Sequence, residues 1–153
     1  MNNFFVILAA GNGSRFRKNQ KKQYAIYKNF KLYEHSIFKT IKSKLFKKIV
    51  LVVDEPQKIK KPYSKNLIIL KGGNKRSISS NIALKYIKKF KPKNVLIHDA
   101  ARPDFSLNLL KKIVKELEKN EAVIPTIKPT DSIKYDIKNN LYNLDRNKTY
   151  LTQ

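Results

Sequence analysis

The chain has 153 residues, 41% of them hydrophobic, which suits a single globular domain with a proper core. Zero cysteines exclude disulfides, thiolate catalysis and thiolate-held metal, and two histidines, His35 and His98, exclude a histidine-rich metal centre. The net charge of +23 invites a nucleic-acid interface, yet the excess is lysine scattered through every segment, while arginine, the usual reader of base edges, is scarce. No specific nucleic acid is therefore expected. Arg15, Arg76, Arg102 and Arg146 fall instead inside candidate motifs, whereas Arg17 does not. Phe4 to Ala10 is too short for a signal-peptide core and lacks a cationic flank, and no apolar run approaches a membrane span, so the expected location is the cytoplasm.

In chain order, Phe4 to Leu8 is a continuous apolar run, the pattern of a strand buried on both faces. It breaks into Ala9, Ala10, Gly11 and Gly13, residues small enough for backbone N–H groups to approach a ligand, with Arg15 and Lys22 following. A strand delivering such a loop with two cations suits a polyphosphate. The loop lacks the third glycine of a Rossmann fingerprint and the Gly-Lys-Ser/Thr of a Walker loop. Tyr33 to Leu45 predicts an amphipathic helix with Ile37, Phe38, Ile41 and Leu45 on its apolar side. Lys48–Val53 reads as a second buried strand, 58–65 as loop or short helix, and Asn66–Leu70 as a third strand ending in Gly72-Gly73.

Residues 76–90 predict a helix burying Ile78, Ile82, Leu84 and Ile87 and closed by Pro92. Val95–His98 is a fourth strand running into Asp99-Ala-Ala-Arg-Pro, Ser106 is an N-cap for a helix over Leu107–Lys119, and Glu121–Ile127 is a fifth strand. Strands alternating with helices of this length imply an α/β fold with a mainly parallel sheet and helices on both faces. Ligands in such sheets gather beyond the strands' carboxyl ends, where the loops at Ala9, Gly72 and Asp99 all fall. From Pro129 the pattern changes to two short alternating stretches, Ser132–Ile137 and Leu141–Leu144, joined by Lys138-Asn139-Asn140. This is a hairpin, either an ordinary edge hairpin or an arm for a partner.

LAAGNGSRF at 8–16, KKQY at 21–24, GGNKRSISS at 72–80, HDAARP at 98–103, PTDSIK at 129–134 and DRN at 145–147 together resemble the 2-C-methyl-D-erythritol 4-phosphate cytidylyltransferase family, in order and over nearly the whole chain. The resemblance implies a nucleotidyltransferase, Rossmann-like sheet in one domain over 1–153, with a protruding arm at about 129–149 that forms a homodimer. It implies transfer of CMP from CTP to 2-C-methyl-D-erythritol 4-phosphate with release of pyrophosphate, in isoprenoid synthesis by the non-mevalonate route. Ala9, Ala10, Gly11 and Gly13 would wrap CTP, with Arg15 and Lys22 on its phosphates as the catalytic cations. Gly73, Asn74 and Ser79 would read cytosine and ribose, with Arg76 bracing their loop. Asp99, beside Ala100 and Arg102, would meet the magnesium-bound triphosphate and the sugar phosphate. Ser132 and Arg146 would reach the acceptor held by a neighbouring subunit.

Taken without the resemblance, these residues have plainer readings. His98 is a satisfied strand-end histidine, Asp99 a turn cap or the ion-pair partner of Arg102, Ser79 a helix-surface hydroxyl, and Lys21 a lone charge. Lys21 stands where the family has proline, Asn74 where it has aspartate and Ser132 where it has threonine. The family pattern continues past Gln153 with Thr-Pro-Gln and a further strand and helix, so the chain is expected to be incomplete. A ribitol-5-phosphate cytidylyltransferase is the alternative on the same scaffold; Ala10, Ala101 and the DSIK segment favour methylerythritol phosphate. A non-catalytic basic domain that binds RNA is the alternative from another class.

Overall fold

The computed structural model describes residues 2–11, 21–59 and 63–152. In chain order the elements are β1 (Asn3–Ala9), a 3-10 turn (Lys22–Tyr24), β2 (Ile26–Tyr27), β3 (Phe30–Lys31), α1 (Leu32–Ser43), β4 (Lys48–Val53), a 3-10 turn (Pro56–Lys58), β5 (Leu67–Lys71), α2 (Arg76–Ile87), a 3-10 turn (Lys88–Phe90), β6 (Asn94–Asp99), α3 (Leu107–Glu116), β7 (Thr126–Ile127), β8 (Lys134–Ile137), β9 (Asn140–Asn143) and β10 (Leu151–Thr152). They fall into two compact units, Met1–Val114 and Lys115–Gln153. No described helix is long and apolar enough to cross a membrane.

The first unit is built on a four-stranded sheet in the order β5-β4-β1-β6, with every neighbouring pair parallel. Side chains alternate across a strand, so β1 divides its apolar run between two faces. Phe4, Val6 and Leu8 join Val50, Val52, Ala83 and Ile87 in a core beneath α2. Phe5 points the other way, toward Phe46 and Phe105, the residues that flank α1 and α3. Lys39 of α1 donates to the Pro103 carbonyl at 2.6 Å and lies 5.2 Å from the Phe105 ring centroid, tying α1 to the segment before α3. Helices therefore cover both faces, and β1 and β4 are sealed on each.

The helices turn faces toward the sheet that hydrophobicity alone does not select. In α1 the buried residues are Leu32, Tyr33, Ser36, Ile37 and Thr40, while the expected Phe38 and Ile41 are exposed and Leu45 lies beyond the helix. Thr40 can be buried because its hydroxyl donates to the Ser36 carbonyl at 2.7 Å. Phe38 packs instead on Phe30 and Tyr63 in a satellite cluster around the β2–β3 hairpin. The helix stops at Ser43 because Lys44 enters the left-handed region, φ 56°. In α2 the buried line is Ser79, Ala83 and Ile87, spaced by four, whereas the expected Ile78 and Leu84 are exposed and Ile82 is half-buried. Small side chains at 79 and 83 let this helix lie close to the strands.

The Ser106 cap is present: its hydroxyl accepts the Leu109 N–H at 3.0 Å, although α3 ends at Glu116 rather than Lys119. The expected fifth strand over 121–127 does not form as such. Pro125 removes a ladder donor, and only Thr126–Ile127 pairs, antiparallel with Leu151–Thr152, inside the second unit. That unit also contains the β8–β9 hairpin, whose turn residues Lys138 and Asn139 take φ of 51° and 66°, the signs a two-residue primed turn requires. Lys28 and Asn29 repeat this chemistry, φ 46° and 69°, between β2 and β3, a hairpin the sequence reading did not anticipate.

Gly72 is where the sheet leaves no room. A Cβ there would sit 2.3 Å from the Ala10 Cβ, 2.9 Å from the Ser79 hydroxyl and 3.0 Å from a Val52 methyl. Gly72→Ala is expected to cost about 1–3 kcal/mol of stability by overpacking. Gly73→Ala would meet the Ile78 Cγ2 at 2.3 Å and its Cβ at 2.9 Å, atoms held at the α2 backbone, and is expected to destabilise as well. Urea unfolding of the two variants against the parent checks both losses.

Candidate functional site

The parallel register brings the carboxyl ends of the four strands level. Ala9 stands beside Val53, Val53 beside Lys71, and Leu8 beside Asp99. Two bonds carry the ladder one step beyond: Gly72 N–H to the Val53 carbonyl at 2.7 Å, and Ala100 N–H to the Leu8 carbonyl at 3.0 Å. Strand order reverses between β1 and β6, the switch point beside which ligands bind in doubly wound sheets. Ala9, Ala10 and Gly11, then Gly73 to Ser79, then Asp99, Ala100 and Arg102 thus leave the sheet at one rim. Gly13 and Arg15 lie outside the described residues.

Within this rim the expected residues divide by burial. Ala9, Ala10 and Ala100 are buried, so their contribution to a ligand would come through the backbone. Among the described residues nothing lies within 4 Å of where a Cβ on Gly11 would stand. Ser79 is buried rather than a surface hydroxyl: it accepts the Gly73 N–H at 3.2 Å and donates back to the Gly73 carbonyl at 3.3 Å, fixing the Gly-Gly loop. Asn74 and Arg102 are exposed. Asp99 pairs not with the Arg102 side chain but with Arg76, Nε to Oδ1 at 2.9 Å, while the Arg102 N–H closes a turn onto the Asp99 carbonyl. Arg76 thereby joins the loop after β5 to the end of β6; the pair is well exposed and adds little stability. Ser132 and Arg146 belong to the second unit, where both are exposed and Arg146 donates to the Thr130 carbonyl at 3.3 Å.

Sequence reasoning missed a second group on the same rim. Asp54, the residue after β4, forms an ion pair with Lys21 and accepts the Tyr24 hydroxyl at 2.5 Å. Lys21 is therefore not a lone charge. Gln23, buried within the turn, donates its side-chain amide to the Gly11 carbonyl at 2.9 Å. The available signal was positional, since Asp54 is an acid at the carboxyl end of a buried strand. Burial pushes the Asp54 carboxyl up, but the hydrogen bonds from Lys21 and Tyr24 outweigh it and leave the group below the usual carboxylate range. The same contact raises Lys21, and burial followed by the Asp54 bond raises the Tyr24 phenol.

Among the described residues no three or more His, Cys, Asp or Glu gather as a metal cage. Asp99 presents a single half-exposed carboxylate with one oxygen on Arg76. That fits magnesium arriving on a nucleotide, which takes only one or two protein carboxylates.

His98 is no rim base. It alternates onto the face opposite Asp99, with its ring edge-on to Phe105 at 4.6 Å and near Phe5 at 5.8 Å, and its Nε2 is shut from solvent with no hydrogen-bond partner among the described residues. Burial drives the imidazole down to about 4, opposed by the Asp99 charge and by a hydrogen bond with the Arg102 backbone, while the Arg102 and Lys39 charges add smaller downward pushes.

Residues 4–151 match the sequence model of the family described as IspD: 2-C-methyl-D-erythritol 4-phosphate cytidylyltransferase. The chain belongs to that family. It is 49% identical to a bifunctional enzyme IspD/IspF of Pelagibacter ubique, over all of this chain and 42% of that protein. It is 34% identical to a 2-C-methyl-D-erythritol 4-phosphate cytidylyltransferase of Caldicellulosiruptor bescii, over 90% of this chain and 63% of that one. The solved structure of the bifunctional IspDF from Campylobacter jejuni superposes with a TM-score of 0.84 at 29% identity, covering 100% of this chain and 39% of that one. The chain thus spans less than two thirds of the length of these relatives. The family carries the parallel α/β sheet described above.

His98 has a testable consequence. A ring held near 4 when folded, against an ordinary 6.5, is fully compatible with folding above pH 6.5. Below that the unfolded chain takes the proton first, so stability falls until the folded-state value is passed. His98→Phe is expected to lose less stability than the parent between pH 7 and pH 5, measured by urea unfolding at both values.

Proposed function

We propose that this IspD-family chain carries the cytidylyl-transfer site that joins CMP from CTP to 2-C-methyl-D-erythritol 4-phosphate, in the cytoplasm and within isoprenoid synthesis. The observation that carries this reading is the convergence of the exits of β1, β5 and β6 on one rim holding Gly11, Gly73, Arg76 and Asp99, at the switch point of a parallel sheet. The family membership and the two relatives above supply the choice of nucleotide and acceptor.

In this reading the backbone beyond Ala10 wraps the triphosphate, Arg15 and Lys22 hold its charges, and Gly73, Asn74 and Ser79 line the cytidine side, with Arg76 bracing their loop. Asp99 would hold a magnesium ion brought by the triphosphate, and that ion would neutralise phosphate charge. Ala100 and Arg102 stand beside it, with Arg102 turned to the acceptor phosphate. A phosphate oxygen of the acceptor forms a bond to the α-phosphorus, the bond from that phosphorus to its bridging oxygen breaks, and pyrophosphate departs with the electron pair. A phosphate monoester is already ionised near neutrality, so the protein must supply position and charge rather than a base. The neutral, inward-facing His98 is consistent with that.

Residues 129–149 act as a dimer arm in this reading. Its support is an apolar surface uncovered within the second unit, where Tyr135, Ile137, Leu141 and Tyr142 are all exposed. Ser132 and Arg146 then serve the acceptor of the neighbouring subunit.

Incubation with CTP, magnesium and methylerythritol phosphate should release pyrophosphate and form the cytidine diphosphate conjugate. Lys22→Ala should lower turnover by about a hundredfold or more with an unchanged melting temperature, because the side chain is exposed. Turnover with ribitol 5-phosphate alone, or steeply salt-dependent RNA binding indifferent to Lys22→Ala, would overturn the assignment.

A further inference from the structure

The turn that presents Lys22 cannot hold itself. It is one 3-10 turn, with Tyr24 N–H on the Lys21 carbonyl and Ala25 N–H on the Lys22 carbonyl, each at 3.0 Å, and runs this short depend on their surroundings. The surroundings here are specific. Asp54 at the β4 exit takes Lys21 on one carboxylate oxygen and Tyr24 on the other. Gln23 between them reaches back to the Gly11 carbonyl at the β1 exit. The Tyr24 ring stands edge-on to the buried Tyr33 of α1, centroids 5.9 Å apart. Three of the four consecutive side chains from Lys21 to Tyr24 are thereby committed inward. Lys22 is exposed and makes no ion pair among the described residues.

We propose that Asp54 is a positioning residue: by clasping Lys21 and Tyr24 it fixes the turn against the ends of β1 and β4, and so aims Lys22 at the triphosphate. The clasp also sorts charge. Two adjacent lysines would repel and compete for one anion; Asp54 neutralises the first and leaves the second available. Lys21 has φ −70°, within the range to which a proline ring would lock it. The ion pair thus supplies from outside a restraint that a ring would supply from within. This inference rests on the CTP reading.

The test uses the whole chain with Asp54→Asn, Lys21→Met and the double variant. Amide exchange at Tyr24 and Ala25 reads the turn, and calorimetric titration with CTP and with cytidine reads the site. Each single variant is expected to speed exchange at both amides and to weaken CTP about tenfold while leaving cytidine unchanged. The double variant should be no worse than Asp54→Asn alone, since the contact that Lys21→Met removes is already broken there. A purely structural Asp54 would shift the melting temperature and affect both ligands alike. If the parent binds CTP and Asp54→Asn binds it equally well, or if the turn amides stay protected, the inference is overturned and the CTP reading stands. If the parent does not bind CTP, that reading falls together with the aim of Lys22, and the exchange data alone decide whether Asp54 holds the turn.

Discussion

The candidate site depends on the burial of β1 on both faces, because only a strand locked in register between β4 and β6 delivers its small-residue exit level with theirs. Phe4, Val6 and Leu8 are held by α2, and Phe5 by the aromatic residues around α1 and α3, so a one-residue slip would reverse both sets at once. The hydrophobic core is therefore also the positioning device. Gly72 shows the link directly: the close approach that forbids it a side chain, against Ala10, Val52 and Ser79, is the approach that sets the Gly-Gly loop beside the β1 exit.

Electrostatics at the rim follow a simple rule of pairing. Asp54 and Asp99 each take a basic partner, Lys21 and Arg76 respectively, and each pair ties a loop to a strand end. In a chain of net charge +23 these acids do not neutralise the surface; they select which cations are immobilised and which stay available to a polyanionic ligand. The scattered lysine that invites a nucleic-acid reading is thus the background, and a handful of paired acids give it local pattern. His98 is a separate matter, a neutral aromatic partner of Phe105 on the opposite face of its strand.

Much of this was legible in the residues. The apolar runs determine β1, β4, β5 and β6, small residues and glycines at three exits mark the rim, Ser106 caps its helix, and Lys138-Asn139 makes its turn, because each feature is a local preference written in a few neighbouring positions. Six motifs in order carry the family, and the match over 4–151 bears that out. What only the tertiary structure decided is which side of each helix faces the sheet and which charges meet. Ser36, Thr40, Ser79 and Ala83 are buried in preference to Phe38, Ile41, Ile78 and Leu84, because small side chains fit where a helix lies against a pleated layer and because the Thr40 and Ser79 hydroxyls bond to nearby backbone, whereas that of Ser36 has no partner among the described residues. Pro125 and the pairing of Thr126–Ile127 with Leu151–Thr152 cut short a strand that hydrophobicity alone predicts. Asp54 meets Lys21 and Arg76 meets Asp99 across gaps of more than twenty residues, and no local pattern encodes a partner that only the folded register brings within reach.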